Sequence, residues 1–207
     1  MDDVTAFILA GGRSTRMGSD KALLSLGGQT LLERALHTAG TVAKTVFIAG
    51  PRERYGRYGE VVEDVIRDCG PLGGIHAALC VTKTELNLML SVDTPLMSSD
   101  FLAWLLQQAQ TSRELIVVPE ALGGLQPLAA VYRRPLRVLA ERALKGGDYK
   151  IDHLFRLAPT RYISEAEIVA AGFSLAVFRN VNTFEEYKDL LQTEDALQVK
   201  GTESHGT

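Results

Sequence analysis

What most limits the folds open to this chain is a series of short apolar runs, each halted abruptly by glycine, aspartate or proline, alternating with segments of helical spacing. Ala6-Phe7-Ile8-Leu9-Ala10 has no polar residue interleaved before it stops at Gly11-Gly12, the pattern of a strand buried on both faces. Val46-Phe47-Ile48-Ala49 ends in Gly50-Pro51, Val61-Val62 in Glu63-Asp64, and Leu88-Met89-Leu90-Ser91-Val92 in Asp93-Thr94-Pro95. Between these runs, Thr30-x-x-Glu33 is a capping box that opens a helix to about Ala39, halted by Gly40. Residues 72–81 and 99–109 also carry helical spacing, the second behind the cap candidates Ser98, Ser99 and Asp100. Alternation of this kind calls for an α/β fold: a doubly wound, mostly parallel sheet with helices on both faces and residues 6–10 as its central strand.

The second half is less regular. Residues 115–118 and 128–132 read as strands joined by a loop containing Gly123-Gly124, and residues 135–144 as a helix closed by Gly146-Gly147. Another helix follows over 149–157, and Thr183-x-x-Glu186 opens a last one to about Gln192. Residues 193–207 hold few apolar side chains and read as a flexible C-terminal tail. With no repeat and no linker, residues 1–192 are expected to form a single domain.

Composition closes off several classes of function. A net charge of −3 leaves no broad basic face for nucleic acid, so any anion must be held locally. No apolar run approaches the ~18 residues of a membrane span, the acidic Met1-Asp2-Asp3 is unlike a signal peptide, and two cysteines make no disulfide framework. The expectation is a cytoplasmic protein with no nucleic-acid or membrane partner. His37, His76, His153 and His205 show no metal-ligand spacing, and no Gly-x-Ser-x-Gly is present.

In open parallel sheets ligands bind at the carboxyl ends of strands, where the strand order switches. The first such end reads Leu9-Ala10-Gly11-Gly12-Arg13-Ser14-Thr15-Arg16-Met17-Gly18-Ser19-Asp20-Lys21. Its glycines let backbone N–H groups approach an anion, and Arg16 and Lys21 add charge; it matches neither of the two common phosphate-loop patterns, and a plain Gly-rich turn fits the same residues. Asp93 stands at the end of another strand, where one carboxylate facing substrate phosphates suits Mg²⁺; a turn in which Asp93 bonds its own backbone fits equally. Gly70-Pro71-Leu72-Gly73-Gly74 opens a helix that either receives an anion or packs closely on the first loop, and Arg179-Asn180-Val181-Asn182-Thr183 offers polar groups or only a turn and a cap.

Together these residues resemble a known family. Leu9-Ala10-Gly11-Gly12-x-Ser14-x-Arg16-Met17-Gly18-x-Asp20-Lys21, then Leu23-Leu24 and Gly27-Gly28, resembles the opening signature of the molybdenum cofactor guanylyltransferases, within the wider family of single-domain nucleotidyltransferases. Val62-Glu63-Asp64, Gly70-Pro71-Leu72-x-Gly74, Asp93-Thr94-Pro95, Gln126-Pro127-Leu128 and Asn180-Val181-Asn182-Thr183 follow in that family's order, so the resemblance spans about residues 5 to 192. It implies a Rossmann-like fold and transfer of GMP from GTP to the phosphate of molybdopterin cofactor, with release of pyrophosphate. It implies nucleotide binding by Leu9, Ala10, Gly11, Gly12, Arg13, Lys21, Asp64 and Asp93, catalysis by Lys21, Arg16 and Asp93, and Mg²⁺ on Asp93. Arg179, Asn180 and Asn182 match acceptor-side positions, and molybdoenzymes or their insertion chaperones are the implied downstream partners. Ala49-Gly50-Pro51 departs from relatives that carry asparagines near the nucleotide. The rival readings are a cytidylyltransferase, whose members more often carry Leu-Ala-Ala-Gly, a sugar-phosphate nucleotidyltransferase, and a nucleotide-binding regulatory module without catalysis.

Overall fold

A computed structural model of the protein describes residues 4–10, 20–66, 69–181 and Glu186. Apart from Glu186, the expected last helix lies outside the described residues, as do the tail and Gly11, Gly12, Arg13, Arg16 and Asn182.

The apolar run that opens the chain forms β1 (Val4–Leu9), with all six residues buried. A small hairpin follows, β2 (Ser25–Leu26) and β3 (Gln29–Thr30), turning on Gly27 and Gly28. Both glycines have positive φ, 58° and 80°, which a two-residue hairpin turn needs and which a Cβ would strain. Then come α1 (Leu31–Gly40), β4 (Thr45–Ala49), the short α2 (Arg52–Tyr55), β5 (Val61–Val62), α3 (Gly70–Val81), β6 (Leu86–Ser91) and α4 (Ser99–Thr111). The second half supplies β7 (Ile116–Ala121), β8 (Gly124–Leu125), β9 (Ala129–Arg133), α5 (Arg137–Lys145), α6 (Ile151–Leu157), β10 (Thr160–Ile163) and α7 (Glu165–Ala170).

The main sheet runs β10-β7-β9-β6-β1-β4-β5, with β8 paired to β7. β1 is parallel to both neighbours, β4 and β6; β9 is antiparallel to β6 and β7, and β10 returns parallel to β7. The doubly wound, mostly parallel sheet of the sequence reading is therefore present. Strand order reverses direction between β1 and β6, the switch point at which such sheets open a crevice beyond their carboxyl ends.

Alternate residues of the strands feed two cores. Ala6 and Ile8 of β1, with Leu88 and Leu90 of β6, pack under α1, α4 and α7 beside Phe101, Leu105 and Ile168. Phe7, Leu9 and Met89 face the other way, against Leu72 and Ile75 of α3, Leu144 of α5 and Phe155 of α6. Helix α1 starts as its sequence requires: the Thr30 hydroxyl accepts from the Glu33 N–H at 3.1 Å, and the Glu33 carboxylate accepts from the Thr30 N–H at 2.7 Å. Ser98 caps α4 through a bond from the Phe101 N–H. Strand β10 and helix α7 carry too little apolar periodicity to stand out, and the two-residue turn at Leu122-Gly123 makes a β7–β8 hairpin of the expected loop.

Candidate active site

The crevice is built at the ends of β1 and β6. After β1 the chain continues through Ala10, whose N–H bonds the Ala49 carbonyl at 3.0 Å and so extends the β1–β4 ladder by one residue. When the described chain resumes, Asp20 caps a single turn of 3₁₀ helix, Lys21–Leu23, by accepting from the Ala22 N–H at 3.1 Å. That turn presents Lys21 towards the other strand end, where its Nζ donates to Asp93 Oδ2 at 3.2 Å. The pair joins residues 72 apart in sequence and is mostly enclosed, the two side chains being 12% and 26% exposed. Among the described residues Asp93 thus spends its carboxylate across the crevice and not on its own turn, which is closed instead by the Thr94 hydroxyl on the Ser91 carbonyl at 3.3 Å.

Three further segments converge there. The Val181 N–H donates to the Asp93 carbonyl at 2.8 Å, and the fully buried Val181 side chain packs on Leu26 and Leu31, so Arg179 and Asn180, both exposed, emerge beside Asp93. The Leu128 carbonyl of the Gln126-Pro127-Leu128 segment accepts from the Ser91 N–H at 2.8 Å, which seats that segment against the end of β6. On the far side of β1, α3 approaches the strand end so closely that a side chain at Gly73 or Gly74 would fit only if its neighbours gave by a few tenths of an ångström. A Cβ on Gly74 would stand 3.3 Å from Leu9 Cδ2, and one on Gly73 would stand 3.1 Å from Cys69 Cβ and 3.4 Å from Asp64 Oδ2. Asp64 is exposed as a residue, yet crowding around its carboxyl raises its pKa above the ordinary carboxylate value.

The structure thus brings Leu9, Ala10, Lys21, Asp64 and Asp93 to one end of the sheet, with Arg179 and Asn180 flanking Asp93. Two residues not singled out as site residues join them. Asp20 and Tyr55 meet behind Lys21, the phenol oxygen lying 2.9 Å from Asp20 Oδ2 and 3.0 Å from the Ala10 carbonyl oxygen. Burial, with the neighbouring carboxylate second, pushes the Tyr55 pKa well above its ordinary value, so the hydroxyl stays a donor at any working pH. The signal for Asp20 is in the sequence, as a cap-type residue before a lysine; Tyr55 sits on a four-residue helix whose periodicity is too short to read.

Chemically, a lone hard carboxylate beside a lysine suits a divalent cation that arrives with phosphate oxygens, since Mg²⁺ keeps few protein ligands and demands oxygen donors. Among the described residues no group of three or more His, Cys, Asp or Glu side chains is placed to hold a metal on its own. Nor, among them, is any helix long and apolar enough to cross a membrane.

Known proteins of the same build are readily found. The family model for the MobA-like NTP transferase domain matches residues 6–162. A probable molybdenum cofactor guanylyltransferase of Pelotomaculum thermopropionicum is 36% identical over 185 residues, covering 88% of this chain and 89% of its own. The molybdenum cofactor guanylyltransferase of Desulfosudis oleivorans is 33% identical over 189 residues, 90% of this chain and 93% of that one. The crystal structure of the molybdopterin-guanine dinucleotide biosynthesis protein A of Archaeoglobus fulgidus superposes with a TM-score of 0.81 at 23% identity, covering 93% and 99% of the two chains; this last likeness is one of fold.

Proposed function

The chain belongs to the MobA-like NTP transferase family, and on that footing we propose that it is a molybdenum cofactor guanylyltransferase, which moves GMP from GTP to the terminal phosphate of molybdopterin and releases pyrophosphate. The observation that carries the reading is the Lys21–Asp93 pair at 3.2 Å across the switch point, one group suited to phosphate and the other to a metal that phosphate brings.

The reaction joins an oxygen of the acceptor phosphate to the α-phosphorus of GTP and breaks the bond from that phosphorus to the bridging oxygen of the leaving pyrophosphate. The attacking oxygen is already anionic, so no general base is needed, in keeping with a site built without histidine. Lys21 exchanges its carboxylate partner for phosphate oxygens and neutralises charge that grows on the α-phosphate. Asp93, freed of Lys21, would hold Mg²⁺, which would supply positive charge to offset that of the phosphates. Leu9, Ala10 and Asp64 border the nucleoside, on the side where α3 closes against β1. Gly11, Gly12 and Arg13, with Arg16, are assigned to the triphosphate by the resemblance alone. Arg179 and Asn180, which emerge beside Asp93, take the acceptor, and Asn182 is assigned to it by the resemblance alone. Product-accepting molybdoenzymes or insertion chaperones, and a cytoplasmic setting, belong to the same reading.

The test is turnover of GTP and molybdopterin by purified protein with and without Mg²⁺. Lys21→Ala and Asp93→Ala should each cut it by at least ~10²-fold, the scale of losing one electrostatic stabiliser, while melting temperature holds. Unchanged turnover in either variant sinks the role given to that residue.

A further inference from the structure

We propose that Tyr55 is a positioning residue for Lys21, its hydroxyl fastening the residue before Lys21 to the residue after β1. The inference rests on the reading of Lys21 as the cation that meets the phosphates.

Tyr55 ends α2 with 1% of its surface exposed, and its ring belongs to the core on the α1 side of the sheet. Packing accounts for the ring but not for the hydroxyl. A phenylalanine fills the same space, whereas a buried hydroxyl must be matched to partners or it costs stability. Here it is matched to two accepting groups that lie ten residues apart, the Ala10 carbonyl oxygen at 3.0 Å and the Asp20 carboxylate, whose Oδ2 and Oδ1 lie at 2.9 and 3.0 Å. One proton is shared between them, and the contact with the carboxylate is the charge-assisted and stronger one. Because the chain passes from Ala10 at the end of β1 to Asp20 immediately before Lys21, that hydroxyl fixes where Lys21 begins relative to the strand that ends at the site.

The fixing extends to Lys21 itself. Asp20 Oδ1 also accepts from the Ala22 N–H at 3.1 Å, so the Lys21 backbone is held between an anchored residue and a capped one. Lysine has four side-chain torsions, and the entropy of placing its ammonium is reduced only if the backbone beneath it is stationary. Arg54, whose Nη1 lies 3.6 Å from Asp20 Oδ2, is largely exposed and adds a screened, weaker hold on the same carboxylate. A structural hydroxyl and a positioning hydroxyl differ in one measurable respect: only the second loses its effect when Lys21 is gone.

A double-mutant cycle of Tyr55→Phe and Lys21→Ala therefore tests it, read on kcat/KM with Mg²⁺, GTP and molybdopterin and on Mg·GTP affinity by titration calorimetry. Tyr55→Phe is expected to lower kcat/KM about tenfold when Lys21 is present and to add no further loss in Lys21→Ala, the non-additivity of residues that act as a unit. Affinity should follow the same pattern, so a protein that used another acceptor would still test the proposal. Equal losses in both backgrounds would assign the hydroxyl to the fold alone and overturn it, as would a Tyr55→Phe protein indistinguishable from the parent. Failure of the parent to transfer GMP while the affinity cycle stays non-additive would overturn the guanylyltransferase reading and support this one.

Discussion

Lys21 and Asp93 are far apart in sequence, and each is ordinary in isolation; their meaning comes from the strand order, which sets the end of β6 beside the end of β1. Asp64 is the residue whose environment is most out of keeping with its charge. Its crowded carboxyl has a raised pKa, so the folded protein holds that proton more readily than the unfolded chain does. The ionised form therefore costs stability at neutral pH, and the cost fades as pH falls through the raised value towards the ordinary carboxylate range. Asp64→Asn should melt at or above the parent temperature at pH 7, with the difference shrinking in acid, while its KM for GTP rises. Melting curves against pH check the first part and steady-state kinetics the second; a variant that melts lower at pH 7 and binds GTP normally would remove Asp64 from the site.

At the scale of elements, the contact between α3 and β1 shapes the side of the crevice proposed for the nucleoside. Every residue of α3 from Leu72 to Leu79 is buried, because the helix lies between the sheet and α5. Gly74→Ala gains about 1 kcal/mol of helix propensity. It also places a methyl 3.3 Å from Leu9 Cδ2, where overpacking costs about 1–3 kcal/mol. The expected outcome is little net change in melting temperature but a severalfold rise in KM for GTP, as Leu9 is pushed into the crevice; kinetics identical to the parent would refute the contact's role. Elements of this kind were legible wherever burial wrote itself into the sequence. The apolar run of β1, the reciprocal Thr30–Glu33 cap and the Ser98 cap all appear where their residues require. Helix α7 has an equally good box, Ser164 with Glu167, but only six residues and one buried side chain, so nothing apolar repeats within it. Strand β10 lies at the sheet's edge with Thr160 and Arg161 half-buried and Tyr162 exposed, and half-exposed edges lose the continuous apolar run that betrays a central strand.

Across the whole molecule, two cores lie on opposite faces of one sheet, and the Lys21–Asp93 pair joins two strand ends between them. On the proposed reading the β1–β4–β5 half, closed by α3, would face the nucleoside and the β9–β7 half with the Arg179–Val181 segment the acceptor, with the Lys21–Asp93 pair between them. That division explains why the site was partly legible and partly not. Lys21 and Asp93 could be singled out because they stand where apolar strands end, and the strand order then brings them together. The Tyr55–Asp20 contact could not be read, since it depends on how a four-residue helix docks beneath β1. Nor does the fold choose the base, because neighbouring chemistries share this architecture. The central claim is guanylyl transfer, and it is tested most directly by offering the purified protein Mg²⁺, molybdopterin and equal amounts of GTP, CTP and ATP, then identifying the dinucleotide by mass spectrometry. The account predicts molybdopterin guanine dinucleotide with matching pyrophosphate; the cytosine dinucleotide, or no dinucleotide at all, would contradict it.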